Sequence, residues 1–191
     1  NEGGYEAVSI DAVCRSAQVA RGTLYHHFGS KDHLLTHAIL HWAEDLGEEL
    51  RRNPPGGRSV PERLAESFKQ VFESIAREPR FFRAAVQALF SSDPGVIRMH
   101  ARLSAVTADL LDAAVGNAAG IHSAPLCMVL GHVLHSLVVG IASGRVTPEM
   151  AMGEITLAAR FLLDPLAETR IAEEPVGERR RKGRRTKTKG G

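Results

Sequence analysis

The chain has 191 residues, 43% of them hydrophobic and 5% aromatic, with a formal net charge of +2. That length can bury one or two real cores, and an apolar set made mostly of Ala, Leu and Val favours packed helices over sheets. The charge is uneven: from Glu178 to Gly191 there are eight Lys/Arg and one acid, so the tail carries +7 and residues 1–177 carry −5, which excludes a globular part that binds polyanions without a local basic site.

Helix signals follow one another along the chain. Ser9 is placed to cap a short helix over 10–16, a turn at Gln18 follows, and a second short helix is predicted over 20–28. Ser30 caps a long third helix, stopped after Arg52 by Asn53-Pro54-Pro55-Gly56-Gly57. Ser59 and Glu62 have capping-box spacing for a helix to Arg77. Glu78-Pro79 breaks that helix, the next runs through Phe81-Phe82 to Phe90, and Asp93-Pro94 opens another to about Val115. Ser123-Pro125 and Thr147-Pro148 each set a cap before an early proline, opening helices to about Ser143 and Leu163. Strand-like alternation is absent, so the predicted fold is all-α. The apolar run over 125–142 contains His132, His135 and Ser136 and falls short of about 20 residues, so it reads as a buried helix and not a membrane span. Cys14 and Cys127 sit in apolar helical patterns and no secretory signal is seen, which suits reduced core thiols in a cytoplasmic protein.

The first two helices and their turn have the spacing of a helix-turn-helix. The second carries little charge besides Arg21 and opens on small or hydroxyl residues, Ala20, Gly22 and Thr23. Such a helix can lie close to a groove wall while the Arg21 fork reaches guanine O6 and N7; a solvated surface arginine is the plainer reading. Thr23 and Tyr25 put hydroxyls on one side, although Tyr25 also suits a core aromatic with a wet hydroxyl. His26 reads as a neutral phosphate donor, while Leu24, His27 and Phe28 are expected to pack inward. Lys31, in the first turn of the next helix, brings a cation to a helix N-terminus, where both favour a phosphate. Ser9 is chiefly a cap, and Arg15 is an equivocal phosphate contact.

Gly4-Tyr5-Glu6-Ala7, Ser9-Ile10-Asp11, Val13, Val19, Gly22-Thr23-Leu24-Tyr25-His26-His27-Phe28 and Ser30-Lys31-Asp32-His33-Leu34-Leu35 resemble the DNA-binding domain of the TetR family of bacterial transcriptional regulators. The resemblance implies a helix-turn-helix domain over 1–47 and a helical ligand-binding and dimerisation domain over 48–166; composition adds a disordered basic tail over 167–191. It implies a dimeric repressor on a palindromic double-stranded operator, with Thr23 and Tyr25 on the DNA backbone and the helix start at Ser9 facing DNA. The family's first helix precedes the Gly-Tyr, so a chain beginning at Asn1 is expected to hold a truncated DNA-binding domain. Gln18 stands where the family usually has Gly in the turn, and a left-handed backbone there costs about 1 kcal/mol.

In the last helix, Met152, Ile155, Ala159, Leu162 and Leu163 share one face, and Met150, Leu157 and Phe161 share another. One core covers only one face. Because the family pairs its last two helices with their copies, the expected homodimer interface holds Leu130, Leu137, Met152, Ile155, Ala159 and Leu162; a wholly internal helix pair in a monomer is the other reading. The family also keeps a cavity between its helices. Here Trp42, Phe68, Phe72, Phe82, Leu89, Leu103, His132 and His135 are expected to wall it, for a small hydrophobic or aromatic effector, though each is equally at home in a core. His33, His37 and His41 recur every fourth residue but have no completing ligands, so they read as a polar helix face; no metal and no cofactor are expected. A nucleophile with a base, paired carboxylates and a phosphate loop are all missing at useful spacing, which argues against an enzyme. The rival reading keeps the fold and the DNA but replaces the small effector with a protein partner.

Overall fold

The computed structural model describes residues 5–115 and 123–173. Among them are a short 3-10 turn, Tyr5–Ala7, and eight helices: α1 (Ile10–Ala17), α2 (Arg21–Phe28), α3 (Lys31–Arg52), α4 (Val60–Arg77), α5 (Pro79–Ala88), α6 (Pro94–Val115), α7 (Ser123–Ala142) and α8 (Pro148–Glu173). The described residues form no strand.

The caps form where serine chemistry places them. Ser9 accepts from the Ala12 N–H at 3.3 Å, and Ser30 from the His33 N–H at 3.0 Å. Ser59 accepts from the Glu62 N–H at 3.3 Å, but the Glu62 carboxylate returns to the Arg58 N–H at 2.7 Å, one residue before the usual capping-box partner. Gln18 ends α1 with φ 56°, the left-handed conformation that the turn demands. Helix ends are also tied by arginines from other helices. Arg63 donates through Nε to the Ala114 carbonyl at 2.9 Å and through Nη2 to that of Val115 at 2.7 Å, closing the C-terminus of α6. Arg83 does the same for α7 through the Ala142 carbonyl at 3.0 Å.

Helix α3 links two bodies of packing. Its first half closes a small cluster, in which Ile10, Cys14 and Leu24 are buried with Val13, Tyr25, Phe28 and Leu34 against them. Along its length α3 also packs on α5 and α6. Phe72, Ile75, Phe82, Leu111, Leu130 and Ile155 form the centre of a larger core shared by α4 to α8. A third patch, Leu35 with Ala84 and Ala88, receives Tyr5 and Val8, so the N-terminal turn docks on α5.

Three expectations need correction. Helix α7 is long and apolar enough to cross a bilayer by length and composition, with mean hydropathy 1.8 over Ala124–Ala142. Only one side of it is covered: Leu126, Cys127, Leu130, Leu134, Leu137 and Ile141 enter the core, while Met128, Val129, His132, His135 and Ser136 are exposed. It is a one-sided core helix, not a wholly buried one. The predicted dimer set also lies inside. Leu130, Leu137, Ile155 and Ala159 are buried in the chain's own core, and Met152 and Leu162 are half-buried against it. The outward apolar residues of α8 are Met150, Leu157 and Phe161, because α8 turns its Ala151, Ile155, Ala159 and Leu163 row inward, towards α4 and α7. Finally, α8 continues to Glu173, so the tail boundary set at 167 falls within a helix; the basic run after it lies outside the described residues.

Candidate nucleic-acid interface

The short helix α2 is held by one apolar anchor. Leu24 is buried against Ile10 and Cys14, and Tyr25 and Phe28 are half-buried beside it. This fixes the opposite side outward: Ala20, Arg21, Gly22, Thr23, His26 and His27 are all exposed. His27 therefore departs from the inward packing expected of it, since the helix is too short to bury more than one row. Ala20 takes the N-cap position with no side-chain hydrogen bond to the first turn, leaving that turn open to an external acceptor. Ser9 and Arg15, at the two ends of α1, are exposed as well.

Arg21 does not extend freely into solvent. Its Nη1 donates to Asp11 Oδ1 at 3.3 Å, and the guanidinium carbon lies 5.7 Å from the centre of the Tyr25 ring. The pairing of Asp11 with Arg21 was not foreseen from the sequence, because a pair ten residues apart on two helices leaves no periodic signal. Lys31 is likewise engaged. Its Nζ donates to the Tyr5 carbonyl at 2.5 Å and lies 4.1 Å from the centre of the Tyr5 ring, so the ammonium fastens the N-terminal turn onto α3. Burial, with a hydrogen bond to Asp32, pushes the Tyr5 phenol up to about 12.

Behind α2 the start of α3 meets the start of α6. The His33 Nδ1–H donates to the Phe28 carbonyl at the end of α2, and its ring lies 4.8 Å from that of His37. Asp93 caps α6 by accepting from the Gly95 N–H at 2.6 Å. A hydrogen bond from Ser30, the cap of α3, together with that amide, holds the Asp93 carboxyl below the usual carboxylate range. Further along, Arg102 of α6 pairs with Glu44 of α3 at 2.8 Å. Along the histidine row the His33 and His37 rings are tilted at 57° to each other, His41 faces Asp45 at 3.7 Å, and no three potential ligands among the described residues are placed to hold a metal ion.

Residues 1–38 match the family model for bacterial regulatory proteins of the tetR family, and residues 57–162 match that of the tetracycline-repressor-like C-terminal domain. The second match alone covers more than half of the chain. The chain belongs to the TetR family. Members are DNA-binding transcription factors and not enzymes. The TetR chain is 39% identical over 93 residues to the HTH-type transcriptional repressor KstR of Rhodococcus jostii, a stretch covering 49% of this chain and 43% of that protein. It is 45% identical over 40 residues, 21% of this chain and 20% of the relative, to the HTH-type transcriptional regulator UidR of Escherichia coli K12. The chain thus aligns with less than half the length of these relatives. A TetR regulator from Rhodococcus sp. RHA1 superposes with a TM-score of 0.72 at 20% identity, over 85% of this chain and 87% of that one, which establishes the all-α fold.

Most of the expected effector wall lies inside this TetR-type core. Phe68, Phe72, Phe82 and Leu89 are buried, Phe68 stacks on Phe72 at 6.2 Å, and Trp42 meets Phe82 edge-on at 4.8 Å. Leu103 packs half-buried against the same core. His132 and His135 are not part of this set: both are exposed on α7, where His132 Nδ1–H donates back to the Met128 carbonyl at 2.7 Å. A surface groove between α4, the loop before it and α8 is lined by Gly57, Arg58, Glu62, Glu66, Lys69 and Met152, none of them expected to bind a ligand.

Proposed function

We propose that this chain is a transcriptional repressor that grips a palindromic operator as a homodimer, α2 entering the major groove, and is released by a small apolar or aromatic effector. The observation that carries the reading is the outward leading turn of α2, where Arg21 stands 61% exposed over the buried Leu24 anchor. Arg21 reads a base, Thr23 and His26 flank it on the backbone, and Tyr25 supports it from below. Arg15 and the α1 start at Ser9 supply phosphate contacts. The repressor role is supported by the name that the KstR relative carries.

Met128, Val129, Met150, Leu157 and Phe161 supply the dimer face. They are exposed on neighbouring helices α7 and α8, and covering such large side chains removes apolar surface from water. A two-fold copy would present two α2 helices to half-sites about 34 Å, or a multiple of that, apart. The Ser30–Asp93 and His33–Gly95 contacts join α6 to the head, and through them a change in the helical domain alters the spacing of the two α2 helices. The direct ring contacts of Phe68 with Phe72 and of Trp42 with Phe82 support a second reading in which a protein partner supplies that change.

The test is selection of duplexes from a random-sequence library by the purified protein, followed by affinities over single-base variants at several salt concentrations. Enrichment of an inverted repeat, with Arg21→Ala losing about 1–3 kcal/mol at one symmetric position, is the expected result. Failure to enrich any sequence would overturn the reading.

A further inference from the structure

We infer that Asp11 is a specificity-determining positioning residue of the DNA interface, holding the Arg21 guanidinium in the orientation from which it reads a base. This rests on the assignment of Arg21 as the base reader. The pair joins the first turn of α1 to the first residue of α2 across the helix-turn-helix, with Nη1 and Oδ1 3.3 Å apart. A contact through Nη1 leaves the guanidinium enough donors for the O6 and N7 of a guanine. The Tyr25 ring flanks the same guanidinium at 5.7 Å, so the arm is bounded by the ring and drawn to one side by the carboxylate. Both partners of the pair are 61% exposed. The contact therefore adds little to fold stability, and its effect falls on the conformations open to a long side chain that must be ordered when DNA binds.

Asp11 also acts through its charge. It is an anion on the face turned to phosphates, where it opposes binding held by phosphate contacts alone. Orientation of the reader and repulsion of unread DNA both raise the ratio of specific to non-specific affinity.

The experiment uses duplexes selected by the full chain, single-base variants of them, and an unrelated duplex. Asp11→Asn keeps size and removes charge. It is expected to lower discrimination at the base that Arg21 reads by about tenfold, to leave affinity for the unrelated duplex equal or higher, and to leave the melting midpoint in place. In an Arg21→Ala background the same substitution should change discrimination no further, and Asp11→Glu should restore part of it. Unchanged discrimination, a uniform loss over all sequences, or an equal effect without Arg21 would each overturn the inference while leaving Arg21 as reader. A uniform loss in Arg21→Ala itself would overturn the reader assignment, and this inference with it.

Discussion

The His33 imidazole fills the space that any side chain on Gly95 would need. A Cβ there would lie 2.8 Å from His33 Cγ and 2.9 Å from both His33 Cδ2 and Asp93 Oδ1. Because His33 also donates to the Phe28 carbonyl, the end of α2, the start of α3 and the first turn of α6 form one packed junction. Gly95→Ala is expected to destabilise the chain by about 1–3 kcal/mol through overpacking, read from urea midpoints. His33→Ala should restore part of that loss in the double variant. Strict additivity would mean that the methyl finds room elsewhere.

The two faces of α8 should respond oppositely to charge. Leu157→Arg with Phe161→Arg alters side chains that are 53% and 71% exposed, so the chain stays folded and sediments as a monomer at micromolar concentration. Ile155→Arg instead buries an unpaired charge and should unfold the domain at a cost of several kcal/mol. A wild-type monomer under the same conditions would remove the proposed interface.

Gln18 holds φ 56° and is exposed, with its N–H bonded to the Arg15 carbonyl at 3.3 Å. Glycine relieves the left-handed strain but adds freedom to the unfolded chain. Gln18→Gly is therefore expected to stabilise by a few tenths to about 1 kcal/mol, and Gln18→Val to destabilise. Matching thermal midpoints for the two variants would show that the turn has shifted.

His37 supplies a pH dependence. Burial, then the neighbouring His33 and Arg102, hold its pKa below the usual histidine value, with Glu44 opposing. The unfolded chain thus binds the proton more readily. Stability is full above about pH 6.5 and falls as the pH drops from there towards the lower folded value. His37→Gln should flatten that part of the stability curve; a slope left unchanged by the substitution would locate the titration elsewhere.

Helix starts were legible because Ser9, Ser30 and Ser59 carry their caps in the sequence, and the head was legible because Leu24 and Phe28 leave α2 one inward row. The inward face of α8 was not. Its pattern shows two apolar sets, and only the position of α4 and α7 decides that Ile155 and Ala159 go in while Leu157 and Phe161 stay out. His132 and His135 misled for the same reason, since periodicity groups residues on a face without saying what covers it. The contacts of Asp11 and Gly95 were invisible because each meets a residue of another helix, Arg21 and His33.

Among the described residues, the cluster where α1, α2 and the start of α3 meet has three buried members, Ile10, Cys14 and Leu24. Burial of about 1.5–3 kcal/mol for each large apolar side chain cannot by itself offset the ordering of two short helices. The head therefore depends on its ties to the larger core, through α3, the junction of Phe28, His33 and Gly95, and the N-terminal turn on α5. It is expected to open and reclose while α4 to α8 stay intact. Backbone amides of α1 and α2 should then trade hydrogen for deuterium well before those of α4, and duplex bound across Arg21 should slow that trade most in the helices that open most readily.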